Sequence, residues 1–307
     1  MENTTLISAN SSIITNMSSN EHSGNTSTSW QKILLGTILY IVVFITIAGN
    51  ALVLIAVYKV KKLQTVFNFY IVNLAVTDIG VASTAMSFYT IDNILGYWPF
   101  GEFMCGLWIF CDYGMTFASV FTLLVISVDR FWSVSWSVHY RANHNKRKSV
   151  IAIISVWAVM VALWLPACIV DRVKNAADKV CIWEPSLNPE YVFVIALIGH
   201  HGACFVLLFC YLQVFFFMRK RAKIGPIGKR ERKVFVTLSY ILFGYVICWV
   251  PFHIVFDVSA IKPDAVPQVV FTITFWMTYL NSAINPFLYN FSSPEFKSAF
   301  RKIMFRK

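Results

Sequence analysis

Apolar residues run almost without interruption through seven stretches of this 307-residue chain, at roughly 33–58, 67–91, 103–129, 150–170, 191–217, 234–258 and 267–290. A helix that crosses a bilayer needs about 20 predominantly apolar residues, so each stretch is long enough to span. The polar segments between them are short and leave no room for a separate soluble unit. No pattern of paired broken helices relates the two halves, which sets inverted-repeat transporters aside. The pattern therefore predicts an all-α protein. It has a polar N-terminal tail over 1–32, a seven-transmembrane helix bundle over 33–291, and a C-terminal segment over 292–307.

That last segment has its own periodicity. Ser293, Pro294 and Glu295 read as a helix start, with a capping serine and proline at the first helical position. Phe296, Ala299, Phe300 and Ile303 then share one face, with Lys297, Arg301 and Lys302 on others. The expectation is a short amphipathic helix on the inner membrane surface. A frayed basic tail is the plainer alternative.

Composition sharpens this picture. Only 13% of residues are charged and 57% are apolar, against roughly 25% charged in a soluble domain. The net charge of +11 could suggest nucleic acid, but its distribution excludes that. With the N-terminus outside, 21 of the 26 Lys and Arg residues fall in the cytoplasmic segments, which is the positive-inside pattern. The basic excess then serves topology and contact with anionic lipid. The first 30 residues are rich in Ser, Thr and Asn, contain no Lys or Arg, and lack the apolar core of a cleavable signal. Four sequons there, at Asn3, Asn10, Asn16 and Asn25, point to a glycosylated extracellular tail. Seven scattered cysteines without a CxxC pair indicate neither a disulfide scaffold nor zinc. No nucleophile–base spacing or phosphate loop suggests an enzyme.

A carboxylate at the bilayer centre costs about 2.5–3.5 kcal/mol on insertion scales, so Asp78, Asp112 and Asp129 each ask for a reason. Asp112 and Arg130 are 18 residues apart, which is five whole helical turns and a rise of about 27 Å. They share one stripe with Thr116, Ser119 and Ile126 nearby, so that stripe should face the bundle interior. Asp112 then lies one or two turns below the outer surface, open to the exterior, with no Lys or Arg in the outer half of any span. Two readings stand: a counter-charge for a cation arriving from solution, or a protonated Asp that fixes packing. Tyr113, Trp249, Phe252, Phe275, Trp276 and Tyr279 could close an aromatic cage around an ammonium group, or be ordinary core. His200, His201 and His253 could supply hydrogen bonds to a pocket floor, or be satisfied core histidines. Pro251 and Pro286 break the backbone ladder inside the sixth and seventh spans.

Taken together, these residues resemble the rhodopsin-like (class A) G-protein-coupled receptors over about residues 33–305. The carriers are Gly49 and Asn50, Asn73 to Asp78, Asp129-Arg130-Phe131, Trp157, Cys248 to Pro251, and Asn285 to Tyr289. Within the family the chain resembles the biogenic-amine branch, with stretches such as Leu124 to Arg130 and Tyr279 to Pro286 most similar to muscarinic acetylcholine and histamine receptors. The resemblance implies a disulfide between Cys105 and Cys181. It also implies a small cationic amine held by Asp112, with Trp276 and Tyr279 completing the cation site and Tyr113, Thr116, Trp249, Phe252, His253 and Phe275 lining the pocket. Acetylcholine-, histamine- and trace-amine-like ligands are the expected types.

The resemblance further implies a switch in which Arg130 pairs with Asp129 and Glu231 at rest. The sixth helix then swings outward, with Tyr211, Tyr289, Pro251 and Pro286 taking part, and Arg130 meets a heterotrimeric G protein. Arrestin is a second expected partner. Glu231 could equally be a solvated charge among its basic neighbours. Asp78, Ser119, Asn281, Ser282 and Asn285 match the family's allosteric sodium pocket, and no other metal or cofactor is expected.

Departures qualify the ligand. The usual proline of the fifth span falls on Ala203, and the serines of catecholamine receptors fall on Ile195, Ala196 and Gly199. Catechol hydroxyls would lack partners. His253 and Phe252 replace the muscarinic asparagine and its tyrosine neighbour, which puts acetylcholine in doubt. The alternative of the same fold is a receptor for a non-amine ligand, or one that signals constitutively. A cation carrier using Asp78 and Asp112 is the rival from another class.

Overall fold

The computed structural model describes residues 29–226 and 228–305. The four sequons lie outside them. Seven long helices form the bundle: α1 (Ser29–Lys59), α2 (Asn68–Leu95), α3 (Gly101–Ser135), α4 (Lys146–Asn175), α5 (Pro189–Ala222), α6 (Lys229–Ile261) and α7 (Gln268–Ser292). A short helix, Ser137–Asn143, follows α3, and α8 (Pro294–Phe305) follows α7. α1 begins at the N-terminal end of the bundle, and the opposite end carries α8.

Helix limits follow local chemistry. Gly96 ends α2 at φ 77°, a left-handed cap that a Cβ would strain. Asn145 opens α4 by accepting a hydrogen bond from the Lys148 N–H at 3.1 Å. Large apolar side chains such as Phe44, Phe205, Phe243 and Ile254 stand exposed on the outside of the bundle, the surface that a bilayer solvates. The chain is a multi-pass membrane protein. Among the described residues six helices are apolar enough over a full span to be read from composition; α7 is more polar because Thr274, Thr278, Asn281, Ser282 and Asn285 all turn inward.

The recurrent motifs do packing work. Pro286 has no N–H, so the Ser282 carbonyl one turn back loses its helical donor. Asn50 Nδ2 supplies one at 3.1 Å. Gly49 lets the helices close: a Cβ there would stand 3.0 Å from Pro286. Trp157 Nε1 donates to Asn73 Oδ1 (3.0 Å) and Asn73 Nδ2 to Thr122 Oγ1 (2.8 Å), tying α4, α2 and α3 together. Cys105 and Cys181 form the disulfide, which pins the loop after α4 to the head of α3. Along α8, Phe296, Ala299 and Phe300 are buried against Val53, Ala56, Leu63 and Ile71. In α5 a π-helical stretch, Ala196–Gly202, ends directly before Ala203.

Candidate functional site

Three charged centres line α3 and its neighbours. Nearest the N-terminal end is Asp112, 1% exposed. Tyr279 Oη donates to its Oδ1 at 2.9 Å, while Oδ2 is buried with no partner. No cation of the chain pairs with it among the described residues. Thr116 does not face it with its hydroxyl; Oγ1 turns back to the Asp112 carbonyl. Rings enclose the carboxylate: Phe275 and Trp276 flank Tyr279 at 5.3 and 5.2 Å, and Phe252 packs on Phe275 at 5.3 Å. Tyr89, which carried no motif, joins them, stacked on Trp276 at 6.0 Å and edge-on to Tyr279 at 6.3 Å.

The expectation that Asp112 is open to the exterior is corrected here. Trp183, two residues past Cys181, drops into the bundle and is fully buried. It lies edge-on to Trp164 (5.4 Å) and Tyr113 (6.0 Å) and parallel to Phe256 (6.1 Å). A vestibule of about 60 Å³ above it stops at Tyr113, Trp183 and Phe275, and Asp112 is sealed beneath. The disulfide is the cause, since it fixes where the loop can place the indole. The loop is held further by Asp171, which pairs with Arg172 (2.6 Å) and accepts from Asn188 (2.8 Å) and Asn175 (3.1 Å).

Midway, Asp78 is fully buried. Ser119 Oγ donates to its Oδ1 at 3.0 Å and Asn285 Nδ2 to its Oδ2 at 2.7 Å; Asn281 and Ser282 are buried nearby. A carboxylate with hydroxyl and amide oxygens around it is a donor set that suits a small hard cation. Trp249 lies between this centre and the first, its ring edge-on to Phe117 at 6.4 Å and its Nε1 without a partner.

At the opposite end Arg130 donates to Asp129 Oδ2 at 2.8 Å, and its guanidinium stacks 3.3 Å from the ring centre of Phe67 on the approach to α2. Asp129 also accepts from Tyr140 Oη (3.1 Å) and contacts His144 Nε2 (3.1 Å). Burial holds the His144 imidazole below its ordinary pKa, with Asp129 opposing and Arg130 adding to the effect. The expected pairing of Arg130 with Glu231 is absent. Glu231 Oε2 instead accepts the Gly228 N–H at 2.8 Å and caps the start of its own helix, because a carboxylate in the first turn meets unpaired N–H groups at hand. Tyr211 and Tyr289 are not brought together. Tyr211 stacks on Phe235 at 5.6 Å, while Tyr289 packs on Phe296 at 5.5 Å with its hydroxyl unpartnered. Pro251 and Pro286 sit inside unbroken helices.

A cavity of about 320 Å³ opens at this end, lined by Arg130, Tyr289, Lys233, Ile126 and Leu288 among others. Lys233 on α6 reaches Glu295 on α8 at 2.7 Å, and Ser293 Oγ donates to the same Oε2 at 2.7 Å. These bonds push the Glu295 pKa down to about 2. Phe67 and Trp183 carried no signal in the chain pattern, since each acts through a contact between distant segments. Only the spacing of Trp183 from Cys181 could have pointed to it.

The model of the seven-transmembrane receptor (rhodopsin family) matches residues 49–289. The chain belongs to this family. Its members are receptors, not enzymes. Among relatives, the alpha-1A adrenergic receptor of Oryctolagus cuniculus is 32% identical and that of Cavia porcellus 31%, each over 89% of this chain and 68% of the relative. Dopamine receptor 1 of Drosophila melanogaster is 27% identical over 89% of this chain and 62% of the relative. In this receptor the residues of the three centres thus lie within the matched span.

Proposed function

We propose that this receptor binds a small cationic amine through Asp112 and signals through a heterotrimeric G protein. The observation that carries the reading is the buried Asp112 Oδ2 without a partner, beside Tyr279, in a cage of rings. An ammonium group would complete that carboxylate, and ring faces would stabilise it further. The names of the adrenergic and dopamine relatives agree with an amine. The fifth-helix wall here offers Ile195, Ala196 and Gly199, with no hydroxyl for a catechol. Acetylcholine-, histamine- and trace-amine-like ligands are therefore the first to test.

The receptor sits in the plasma membrane with its N-terminus outside, by the distribution of its Lys and Arg residues. Binding requires Trp183 to move, and the ligand favours whichever arrangement it fits better. The 320 Å³ cavity beside Arg130 receives the G protein, and arrestin uses the same face. Asp78, Ser119, Asn281, Ser282 and Asn285 hold sodium, which favours the resting arrangement. α8 lies on anionic lipid of the inner leaflet.

The test is a panel of small amines on cells expressing the receptor, read with several G-protein sensors, beside Asp112→Asn. Loss of the buried charge should weaken the active amine by a hundredfold or more, since breaking a buried ion pair costs about 3–5 kcal/mol. An unchanged response in the variant overturns the amine reading.

A further inference from the structure

Three histidines lie along α5 and α6, and they part ways. His200 and His253 turn inward, 1% and 5% exposed, with ring centres 4.1 Å apart. His201 turns outward and pairs through Nε2 with Asp257 Oδ2 at 3.2 Å, bridging the two helices on the outside of the bundle. Its side chain is 60% exposed and that of Asp257 36%. The surroundings are apolar. Leu197 and Phe205 stand four residues to either side of His201, Ile254 and Ile261 three and four from Asp257, and all four are exposed. Asp257 lies four residues before the end of α6 and His201 twelve after the start of α5, which are rises of about 6 and 18 Å. The pair thus sits on the face that lipid covers, below the N-terminal end of the bundle.

Ionisable side chains inside a membrane almost always face the bundle interior, as Asp78 and Asp112 do. A pair turned the other way needs something to meet it. Its single bond leaves each group half made. An imidazolium has two N–H donors and a carboxylate two oxygens. Among the described residues neither His201 Nδ1 nor Asp257 Oδ1 has a partner. Hydrocarbon offers none.

A second copy of the chain offers both. In a two-fold interface each subunit presents the same patch, so the patch has to complement itself. One cation beside one anion does so, because the rotation sets each His201 against the partner's Asp257. The four groups then close a ring. Each His201 donates through Nε2 to its own Asp257 and through Nδ1 to the partner's Asp257, and no charge is left over. A foreign helix would have to carry an acid and a base at matching places, whereas a second copy has them by construction. We propose that this face of α5 and α6 is an interface between two copies of the receptor, closed by their two His201–Asp257 pairs. Leu197, Phe205, Ile254 and Ile261 pack around the ring.

The test uses the full chain, labelled with a donor or an acceptor fluorophore, in phosphatidylcholine vesicles of increasing lipid dilution. Energy transfer then gives the dissociation constant of the dimer. Wild type should associate. His201→Leu or Asp257→Leu alone should weaken association at least about fivefold, since two polar contacts between helices are lost. The mixture of the two variants decides the matter. Donor-labelled Asp257→Leu keeps His201 and acceptor-labelled His201→Leu keeps Asp257, so the mixed pair regains one contact that neither variant has with itself. Its dissociation constant should be roughly threefold lower than that of either variant alone. A mixture no tighter than the single variants means that the pair serves only its own chain, and the proposal fails. It fails equally if wild type stays monomeric, or if the variants associate as wild type does. A second measurement needs neither substitution. With p-benzoylphenylalanine in place of Phe205, irradiation should yield a covalent dimer. The same probe in place of Phe44 on α1, which is equally exposed, should yield far less. If the Leu variants do not fold, this cross-link decides, and a yield at Phe205 no higher than at Phe44 overturns the interface.

Discussion

Asp112 and Arg130 share one stripe of α3, about 27 Å apart, and the protein treats them in opposite ways. Asp112 is sealed under Trp183 with one donor and one empty oxygen, and it lines neither the vestibule above it nor the cavity at the opposite end. Arg130 is held by a carboxylate and a ring face and borders a void of about 320 Å³. Around Asp112 side chains close in and charge is incomplete; around Arg130 charge is paired and space is open. The difference teaches what each end lacks. The first needs a small cation that can displace a side chain, the second a larger partner that can fill a hollow.

Trp183→Ala breaks that contrast most directly, because it makes the filled end hollow. A fully buried Trp that is truncated should cost about 3–5 kcal/mol, read as a fall in the melting temperature of the unliganded receptor. Amine association should become faster in the same variant, since nothing then has to move aside. An unaltered melting temperature would mean that the indole is not packed between Trp164 and Phe256. Next in size is Tyr279→Phe, which deprives Asp112 of its one side-chain donor. A buried acceptor without a donor costs about 1–3 kcal/mol, so amine affinity should drop by roughly ten- to a hundredfold. Equal affinity would show that the phenol does not orient the carboxylate.

Much of this was open to reading before any coordinates. Seven spans stand out because a bilayer demands about 20 apolar residues each time. Asp112 stands out because an intramembrane charge is rare and expensive. Pro286 and Asn50 each marked a motif, but only the fold joins them, through the carbonyl that the proline orphans. Trp183 was hidden for a related reason: its depth depends on the Cys105–Cys181 tether and on Asp171, not on its neighbours in sequence. Glu231 went the other way. Its helix has N–H groups to cap, and that local bond wins over a distant guanidinium. Phe67 shows the converse, where a ring 63 positions from Arg130 does the holding that an acid was expected to do.

Phe67→Ala and Glu231→Ala sharpen the comparison at the paired end. Removing the ring should cost about 0.5–2 kcal/mol of Arg130 restraint, and basal G-protein activation should rise severalfold. Removing Glu231 should leave basal activation near wild type and cost no more than about 1 kcal/mol of helix stability through the lost cap. The opposite ranking, measured with one sensor at matched surface expression, would restore Glu231 as the partner of Arg130.

The smallest effect belongs to the bond between α6 and α8. Both Lys233 and Glu295 are almost half exposed, so water screens the pair and its worth is at most about 1 kcal/mol. Its pH dependence has a definite sign. The Glu295 pKa in the folded protein lies near 2, below the ordinary 4.5. The bond's stabilisation is therefore complete above pH 4.5 and is lost as pH falls through 2. The melting temperature of Glu295→Gln should lie slightly below wild type at pH 7, and the gap should narrow as the buffer is taken from pH 5 to pH 3. Raising the ionic strength at pH 7 should narrow it too. A gap that narrows with acid but not with salt would assign the effect to the Ser293 hydrogen bond at the start of α8, and the Lys233 contact between α6 and α8 would then add nothing.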